Sequence, residues 1–560
     1  MGRFNLLDEP WISVITDEKG HSKHVSMTDV FKHASEYKTL AGDMKTQDFA
    51  VLRVLLAVLH TVFSRYDAEG NPRIFSPDDD DEDDFNEESM NIWREVWDAK
   101  KFPDTVFKYL EQWRGRFFLF DGRYPFFQVT EQDIGTEKLG GKSPGEIPGK
   151  NINRLISESD NKTAIFSPKA EFSPKGNNKS VLTEAQLARW IISLQGYMGL
   201  SDKTIFGTKK YKVSKGWLFD LGGIYVEGRS VFETLMLNCA LVGDNQSPKN
   251  PQKPCWEYSG TENIENSFSD TFIDNIAQLY TRWSRAIYVN PDLDCDKETA
   301  VSVVKLPDID HKNAFIEPMT VWRHNGKGDY TPKKQTLREP KSKKIRRSLP
   351  EESMWRSFGL LTLRELSDGS KNHKPGIMEW LDRIGDAVAG SSVSLQAVSM
   401  EDDGNAPSWV PVDEICDTLH IDEIVVTDNT DGGWVYRINK EVELTGKAVG
   451  SVYGKFLRDI CEIRNIDKDQ YAAKHISRVY FLVDRPFKEW LANIGPEDSK
   501  NERCGQWRNV LRGILTDEAE NVLRNATLRD FTGRTAEETG KNIVTAYNTF
   551  IHYLNKLTEK

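Results

Sequence analysis

The sequence predicts an α+β protein, with a large mixed α/β body over residues 1–433 followed by a C-terminal four-helix bundle over residues 434–560. Length, the helical periodicity of the last quarter and the mixture of strand-like and helix-like runs before it lead to this reading. At 560 residues the chain exceeds what one hydrophobic core usually supports, so more than one domain is expected. Hydrophobic residues make up 38% of it, with 15 Trp and 27 Phe, enough aromatic bulk to build packed cores despite 29% charged residues.

The bundle is predicted from four segments whose apolar residues recur at three-and-four spacing, which gathers them on one helix face. The first carries Val449, Val452, Phe456, Ile460 and Ile463. The second carries Ala472, Ile476, Val479, Val483, Phe487, Trp490 and Ile494, with Pro486 expected to kink or split it and Gly495-Pro496 to end it. The third carries Trp507, Val510, Leu511, Ile514, Val522 and Leu523. The fourth carries Ile543, Tyr547, Phe550, Leu554 and Leu557, with Thr535 and Glu538 as its expected capping box. Short connections between such helices favour an up-and-down arrangement.

In the body, strands are expected at Trp11 to Ile15, Ile224 to Val226, Ser302 to Val304 and Ser392 to Val398. Helices are expected at Thr46 to Phe63, Met90 to Trp97 and Thr183 to Leu194. A turn-rich stretch from Gly135 to Gly149 runs on into residues 151–180 as a long connection of the kind that is functional or disordered. The apolar stretch Phe49 to Phe63 contains Arg53 and His60 and is short for a bilayer, so it reads as a buried helix. With no signal-peptide pattern after Met1, no membrane span and six scattered cysteines without a CxxC pair, a cytoplasmic protein with reduced thiols is expected.

The net charge is −12, which argues against nonspecific coating of nucleic acid. The charge is unevenly spread. Residues 434–560 carry 21 Lys and Arg against 18 Asp and Glu, and the body 53 against 68, so any nucleic-acid surface on the body must be local. The acidic run Asp78 to Asp84 reads as a solvated loop. The basic run Lys333 to Arg347, with Lys343, Lys344, Arg346 and Arg347, is either a phosphate-contacting loop or solvated surface.

Catalytic constellations are not evident. The sequence has no GxSxG elbow, P-loop, HExxH or GxGxxG. His21 and His24 read as surface loop. Asp292, Asp294 and Asp296 imitate an EF-hand opening, but Lys297 replaces the turn glycine and Val303 the closing acid. Asp308, Asp310 and His311 read as solvent-facing rather than metal-ligating. No catalytic residue, metal or cofactor is expected, although an enzyme with a scattered active site and a protein-only scaffold both stay open as alternatives.

The opening Phe4-Asn5-Leu6-Leu7-Asp8-Glu9-Pro10-Trp11-Ile12 resembles the start of the CasA family, the large subunit of the type I-E CRISPR surveillance complex Cascade. Tyr124-Pro125-Phe126-Phe127-Gln128 is similar to that family's aromatic-proline-aromatic-glutamine segment, and Gly223 to Asn238 to the region after its glycine-rich loop. The resemblance implies a non-catalytic subunit that recognises a short protospacer-adjacent motif in double-stranded target DNA. It would promote duplex opening and R-loop formation, while base pairing reads the long sequence. Implied partners are the CRISPR RNA 5′ handle, the backbone and small subunits of Cascade and the helicase-nuclease effector.

The resemblance also assigns residues. Phe166, with Lys162 and Lys169, corresponds to the loop that approaches guide RNA and DNA, where an aromatic can stack on an unpaired base. Gly196, Gly199, Ser201 and Lys203 correspond to the motif-recognition loop, although the family's run of adjacent glycines is missing. Lys209 and Lys210 would contact phosphate beside it. Lys305, or Lys312 if the alignment slips, corresponds to a minor-groove lysine. Gly404, Asn405 and Ala406 correspond to the strand-separating wedge, without the glutamine familiar there. The bundle would contact the small subunits and relay target capture to nuclease docking.

Overall fold

Short strand-forming runs separated by turns build several small sheets rather than one large one. The computed structural model describes residues 2–73, 82–152, 180–200, 203–243, 252–269, 273–333, 353–366, 369, 371–388, 392–402, 409, 411–533 and 540–559. Two compact units emerge. The first comprises Met1–Lys334, Pro375–Leu381 and Gln396–Cys416, and the second Gln335–Lys374, Asp382–Leu395 and Asp417–Lys560. Helix and small antiparallel sheets together make the α+β fold that the sequence predicts.

The first unit is organised around the core helix Lys45–Phe63, buried from Thr46 to Phe63. At 19 residues it is long and apolar enough to cross a bilayer, which corrects the expectation that this stretch is too short. It is buried on all sides by the protein instead. Helices Glu184–Tyr197 and Ile276–Tyr280 pack against it.

Arg53 and His60 of this helix are accommodated differently. Arg53 pairs bidentately with Glu317 at 2.8 and 2.7 Å, and its guanidinium lies 4.1 Å from the centre of the Tyr280 ring. The same carboxylate accepts from Trp217 Nε1 at 2.7 Å and from the Met319 amide at 3.0 Å. Every oxygen of a buried charge is thereby engaged, which is the condition for tolerating it. His60 is fully buried, and burial pushes its imidazole down to about 3, so it stays neutral.

Around this helix, Ile12–Ile15 is the middle strand of a sheet with Ser22–Val25 and Thr39–Leu40. His21 and His24 belong to that hairpin, with His21 paired to Asp17 at 2.6 Å. Ala300–Lys305 is the middle strand between Gly145–Pro148 and Arg285–Tyr288, antiparallel to both. Part of the stretch expected to be turn is therefore a strand. Gly223–Glu227 is the edge of a third sheet in the order Pro411–Asp422, Ser392–Asp402, Gly223–Glu227. The two neighbouring long strands are joined by only residues 403–410, too few for a parallel crossover, so they form a hairpin.

The N-terminal motif folds on itself. Trp11 is fully buried and donates Nε1 to Leu6 O at 2.9 Å, while Asn5 Oδ1 accepts from the Leu7 amide at 3.0 Å. The aromatic-proline segment is also core. Phe126 stacks on Phe117 at 5.2 Å, and Gln128 Nε2 donates to Leu119 O at 2.7 Å. The acidic run is partly corrected: the helix Glu82–Ala99 begins within it, with Asp83 and Asp84 in its first turn, where acids complement the positive end of the helix dipole. Asp78 to Asp81 lie outside the described residues.

In the second unit, the helix from Trp434 to Arg464 contains a π segment at Lys447–Tyr453. Helices Lys468–Ala492, Lys500–Arg524 and Ile543–Thr558 follow, each touching the one before, and the last also touches the first. Lys468–Ala492 runs through Pro486 as one helix, so of the expected kink or split the split does not occur. The next residue, Phe487, stacks on Trp355 at 4.2 Å and meets Trp507 edge-on at 4.8 Å. That aromatic packing offsets the lost backbone bond. The last helix starts at Ile543, capped by Asn542 through the Thr545 amide, rather than at Thr535; residues 534–539 lie outside the described residues. A short helix, Leu528–Thr532, precedes it, and its Asp530 receives Arg464 at 3.1 Å.

Two stability predictions follow from the buried groups. Arg53→Met leaves the Glu317 carboxylate buried and unpaired and is expected to cost about 3–5 kcal/mol in urea denaturation, with the double change to Met and Leu recovering part of it. Asp48 is a buried carboxyl raised to about 7, chiefly by burial, with the Gly42 amide and Lys45 opposing and Glu414 adding. Because the folded value lies above the unfolded 3.8, stability falls as pH rises from about 4 through 7. Asp48→Asn is expected to flatten that slope in thermal melts taken between pH 5 and 8.

Candidate nucleic-acid interface

The surface carrying the sequence-predicted loop is built on the helix Glu184–Tyr197. Thr183 and Gln186 form a reciprocal capping box at its start. Gly196 lies inside this helix rather than in a loop, with the Leu218 side chain packed against its Cα. Gly199 leaves the helix in the left-handed region at φ +70°.

Residues 203–216 return along the strand Ala300–Lys305 and the chain just beyond it. Lys305 N donates to Thr204 O at 3.0 Å, Ser214 N to Leu306 O at 3.0 Å and Asp308 N to Lys212 O at 3.0 Å. Tyr211 reinforces the seam by donating its hydroxyl to Lys305 O at 2.6 Å and accepting from the Phe206 amide at 3.1 Å.

The neck of this loop is closed by backbone contacts that only glycine permits. Gly199 N donates to Lys215 O at 2.8 Å. A Cβ on Gly216, which sits at φ +105°, would lie 2.1 Å from Gly196 O, and one on Gly199 would lie 2.3 Å from Trp409 O. Arg285, fully buried on the adjacent strand, reaches across the neck. It donates Nη1 to Ser214 O and Ser284 O at 2.7 Å each, and Nη2 to Gly199 O at 2.6 Å. A guanidinium has donors enough to clamp several carbonyls at once.

Trp409, next in sequence after the stretch holding the predicted wedge, lies at the same place. It immediately follows residues 403–408, has φ +46° and holds the Lys215 ammonium 4.8 Å from its ring centre. The chain at Trp409 is therefore in backbone contact with Gly199 of the predicted motif loop.

The lysines of this surface divide into two groups. Lys203, Lys209 and Lys210 are exposed and make no ion pair among the described residues. Lys212 pairs with Asp308 at 2.9 Å, which raises its pKa, Lys215 with Asp220 at 2.5 Å, and Lys312 with Asp329 at 2.9 Å. Lys305 is half-buried and donates Nζ to Leu200 O at 3.3 Å, so it braces the loop. His311 packs in a tilted arrangement against Trp217, with ring centres 4.9 Å apart, and burial lowers its pKa. Among the described residues there is no group of three His, Cys, Asp or Glu side chains placed to hold a metal. Phe166, Lys162, Lys169, Ser201, Lys343, Lys344, Arg346, Arg347, Gly404, Asn405 and Ala406 lie outside the described residues.

Arg285, Gly216 and Trp409 escaped the sequence reading. Arg285 follows Trp283-Ser284 in an ordinary strand pattern, and its partners lie 71 and 86 positions away. Gly216 carried a local signal in Ser214-Lys215-Gly216, a turn-like triplet. For Gly199→Ala, the left-handed φ and the clash with Trp409 O predict a displaced hairpin, measurable as increased hydrogen exchange at residues 409–416 without loss of exchange protection in the core helix.

Comparison with known proteins gives this surface a setting. The family model for CRISPR-associated protein Cse1 matches residues 5–517. The CasA/Cse1 protein of Thermus thermophilus is 25% identical over 372 residues, which is 65% of this chain and 61% of that relative's length. The crystal structure of Thermobifida fusca Cse1 is similar over 99% of this chain and 98% of that one, with a TM-score of 0.76 and 24% identity. A chain of a CRISPR RNA-guided surveillance complex is similar over 99% and 100%, with a TM-score of 0.64 and 15% identity, a likeness of fold. With the family model matched from residue 5 to residue 517, the chain belongs to the CRISPR-associated protein Cse1 family, the CasA large subunits of type I-E Cascade that its N-terminal motif resembles.

Proposed function

We propose that this chain is the non-catalytic subunit of an RNA-guided surveillance complex that reads a short motif in double-stranded DNA and starts strand separation beside it. The observation that carries this reading is the contact of two elements: the Gly199 loop, with exposed Lys203, Lys209 and Lys210, and the hairpin arm at Trp409. One element can follow a groove while its lysines meet phosphate, and the other can enter the stack next to it. Reading and opening then occur within one step of each other on the duplex.

Lys305 supports the loop from beneath, and Lys312 contacts the duplex only after leaving Asp329. Phe166, Lys162 and Lys169 are assigned to the guide RNA 5′ handle, Lys343, Lys344, Arg346 and Arg347 to phosphate, and Gly404, Asn405 and Ala406 to the wedge. The helical bundle is assigned to the small subunits and to recruitment of the helicase-nuclease, with R-loop completion as the trigger.

The test is a salt titration of motif-duplex binding by the guide-loaded complex. Each lost phosphate contact lowers the logarithmic salt slope by about 0.9, so Lys203→Glu with Lys209→Glu and Lys210→Glu is expected to reduce it by about 3. An unchanged slope removes this loop from the interface, and metal-dependent cleavage of DNA by the purified chain overturns the non-catalytic reading.

A further inference from the structure

The core helix Lys45–Phe63 lacks a local cap. Met44 stands at its N-cap and supplies no side-chain acceptor, although Thr46 is fully buried and its amide needs a partner. The partner comes from the hairpin, 368 positions away. Glu414 Oε1 accepts from the Lys45 amide at 3.2 Å, and Oε2 accepts from the Thr46 amide at 3.0 Å and the Thr46 hydroxyl at 2.9 Å. The carboxylate also faces the positive end of a 19-residue helix.

Glu414 sits on the same hairpin arm as Trp409, whose carbonyl rests against Gly199. The neighbouring strand is tied down as well. Gln396 Nε2 donates to Glu227 Oε2 at 2.7 Å, and Glu227 Oε1 accepts from Thr39 Oγ1 at 2.8 Å. Of these ties, the Glu414 cap is the strictest. A shift of the arm along its own axis withdraws Oε2 from the buried Thr46 amide and hydroxyl and leaves them unsatisfied, so the arm is held in register.

We propose that Glu414 is a positioning residue for strand opening: through its cap on the core helix it holds the hairpin arm at a set distance from the Gly199 loop. This rests on the reading of the interface given above. Glu414 touches no DNA. It acts by making the hairpin stiff against the load of unstacking a base step. Glu414→Gln keeps the shape but turns one acceptor oxygen into a donor facing a backbone N–H group, whichever way the amide is turned. Thr46→Val keeps both backbone bonds and loses only the hydroxyl.

The test uses the full guide-loaded complex with Glu414→Ala, Glu414→Gln and Thr46→Val. Affinity is measured on a motif-bearing duplex that does not match the guide, so that opening does not contribute. Opening is followed by 2-aminopurine fluorescence at the first target positions of a matched duplex, intact or already unpaired there. Glu414→Ala is expected to keep the affinity within about twofold, slow opening of the intact duplex at least about tenfold, and open the pre-unpaired duplex at nearly the wild-type rate. Glu414→Gln should fall between it and wild type, and Thr46→Val close to wild type. If the alanine variant does not assemble, the glutamine variant decides by the same comparison. Unchanged opening of the intact duplex, or an equal slowing on the pre-unpaired one, overturns the proposal. A wild-type complex that binds duplexes with and without the motif equally overturns the parent reading instead, and that result is visible before any variant is made.

Discussion

The bidentate pair between Arg53 and Glu317 is the interaction on which the first unit depends. It places a full charge at the middle of a buried helix and satisfies it with a partner 264 positions along the chain. The pair does more than neutralise. Glu317 also receives the indole of Trp217, and Trp217 begins directly after Gly216 at the neck of the candidate DNA loop. The core helix, the segment around Glu317 and the base of the loop are thus three parts of one hydrogen-bonded node. Removing either charge leaves the other stranded in a low-dielectric interior, which is why such a node tolerates little change.

Arg285 repeats this design one layer further out. Arg53 meets a carboxylate, whereas Arg285 meets backbone carbonyls from Gly199, Ser214 and its own neighbour. Carbonyl clamping holds the loop without adding negative charge beneath a surface proposed to approach phosphate. Acids do lie nearby, but they are committed: Asp308 to Lys212, Asp220 to Lys215. The exposed lysines of the loop are those left over once these pairs are made. In an acidic body, such local accounting decides where an anionic polymer can sit.

The bundle helices were legible because each carries its own stripe of apolar residues, a signal contained within a few turns. Their punctuation was less so. Asn542 caps the last helix although Thr535 and Glu538 matched the familiar pattern, and Pro486 stays helical because Trp355 and Trp507 pack around Phe487. In the body, strands at Ile12–Ile15, Gly223–Glu227 and Ala300–Lys305 lie where alternation predicted. Arg53 was read as a reason against a membrane span rather than as half of a buried pair. Family resemblance pointed to Gly199, while Gly216, Arg285, Trp409 and Glu414 stayed hidden. Their roles are defined by partners far along the chain, and no local window of sequence contains both halves.

The cap on the core helix has a consequence for the order in which the molecule is made. A nascent chain emerging from the ribosome can wind Lys45–Phe63 early, since its interior bonds are local, yet the carboxylate that closes its first turn is synthesised 368 residues after Thr46. Glu317 arrives 264 residues after Arg53. Until both appear, this buried helix carries an unpaired guanidinium and an open end. Closing loops of that length costs only slowly growing entropy, but the helix must wait for them. During synthesis, therefore, the central helix is available early and completed late.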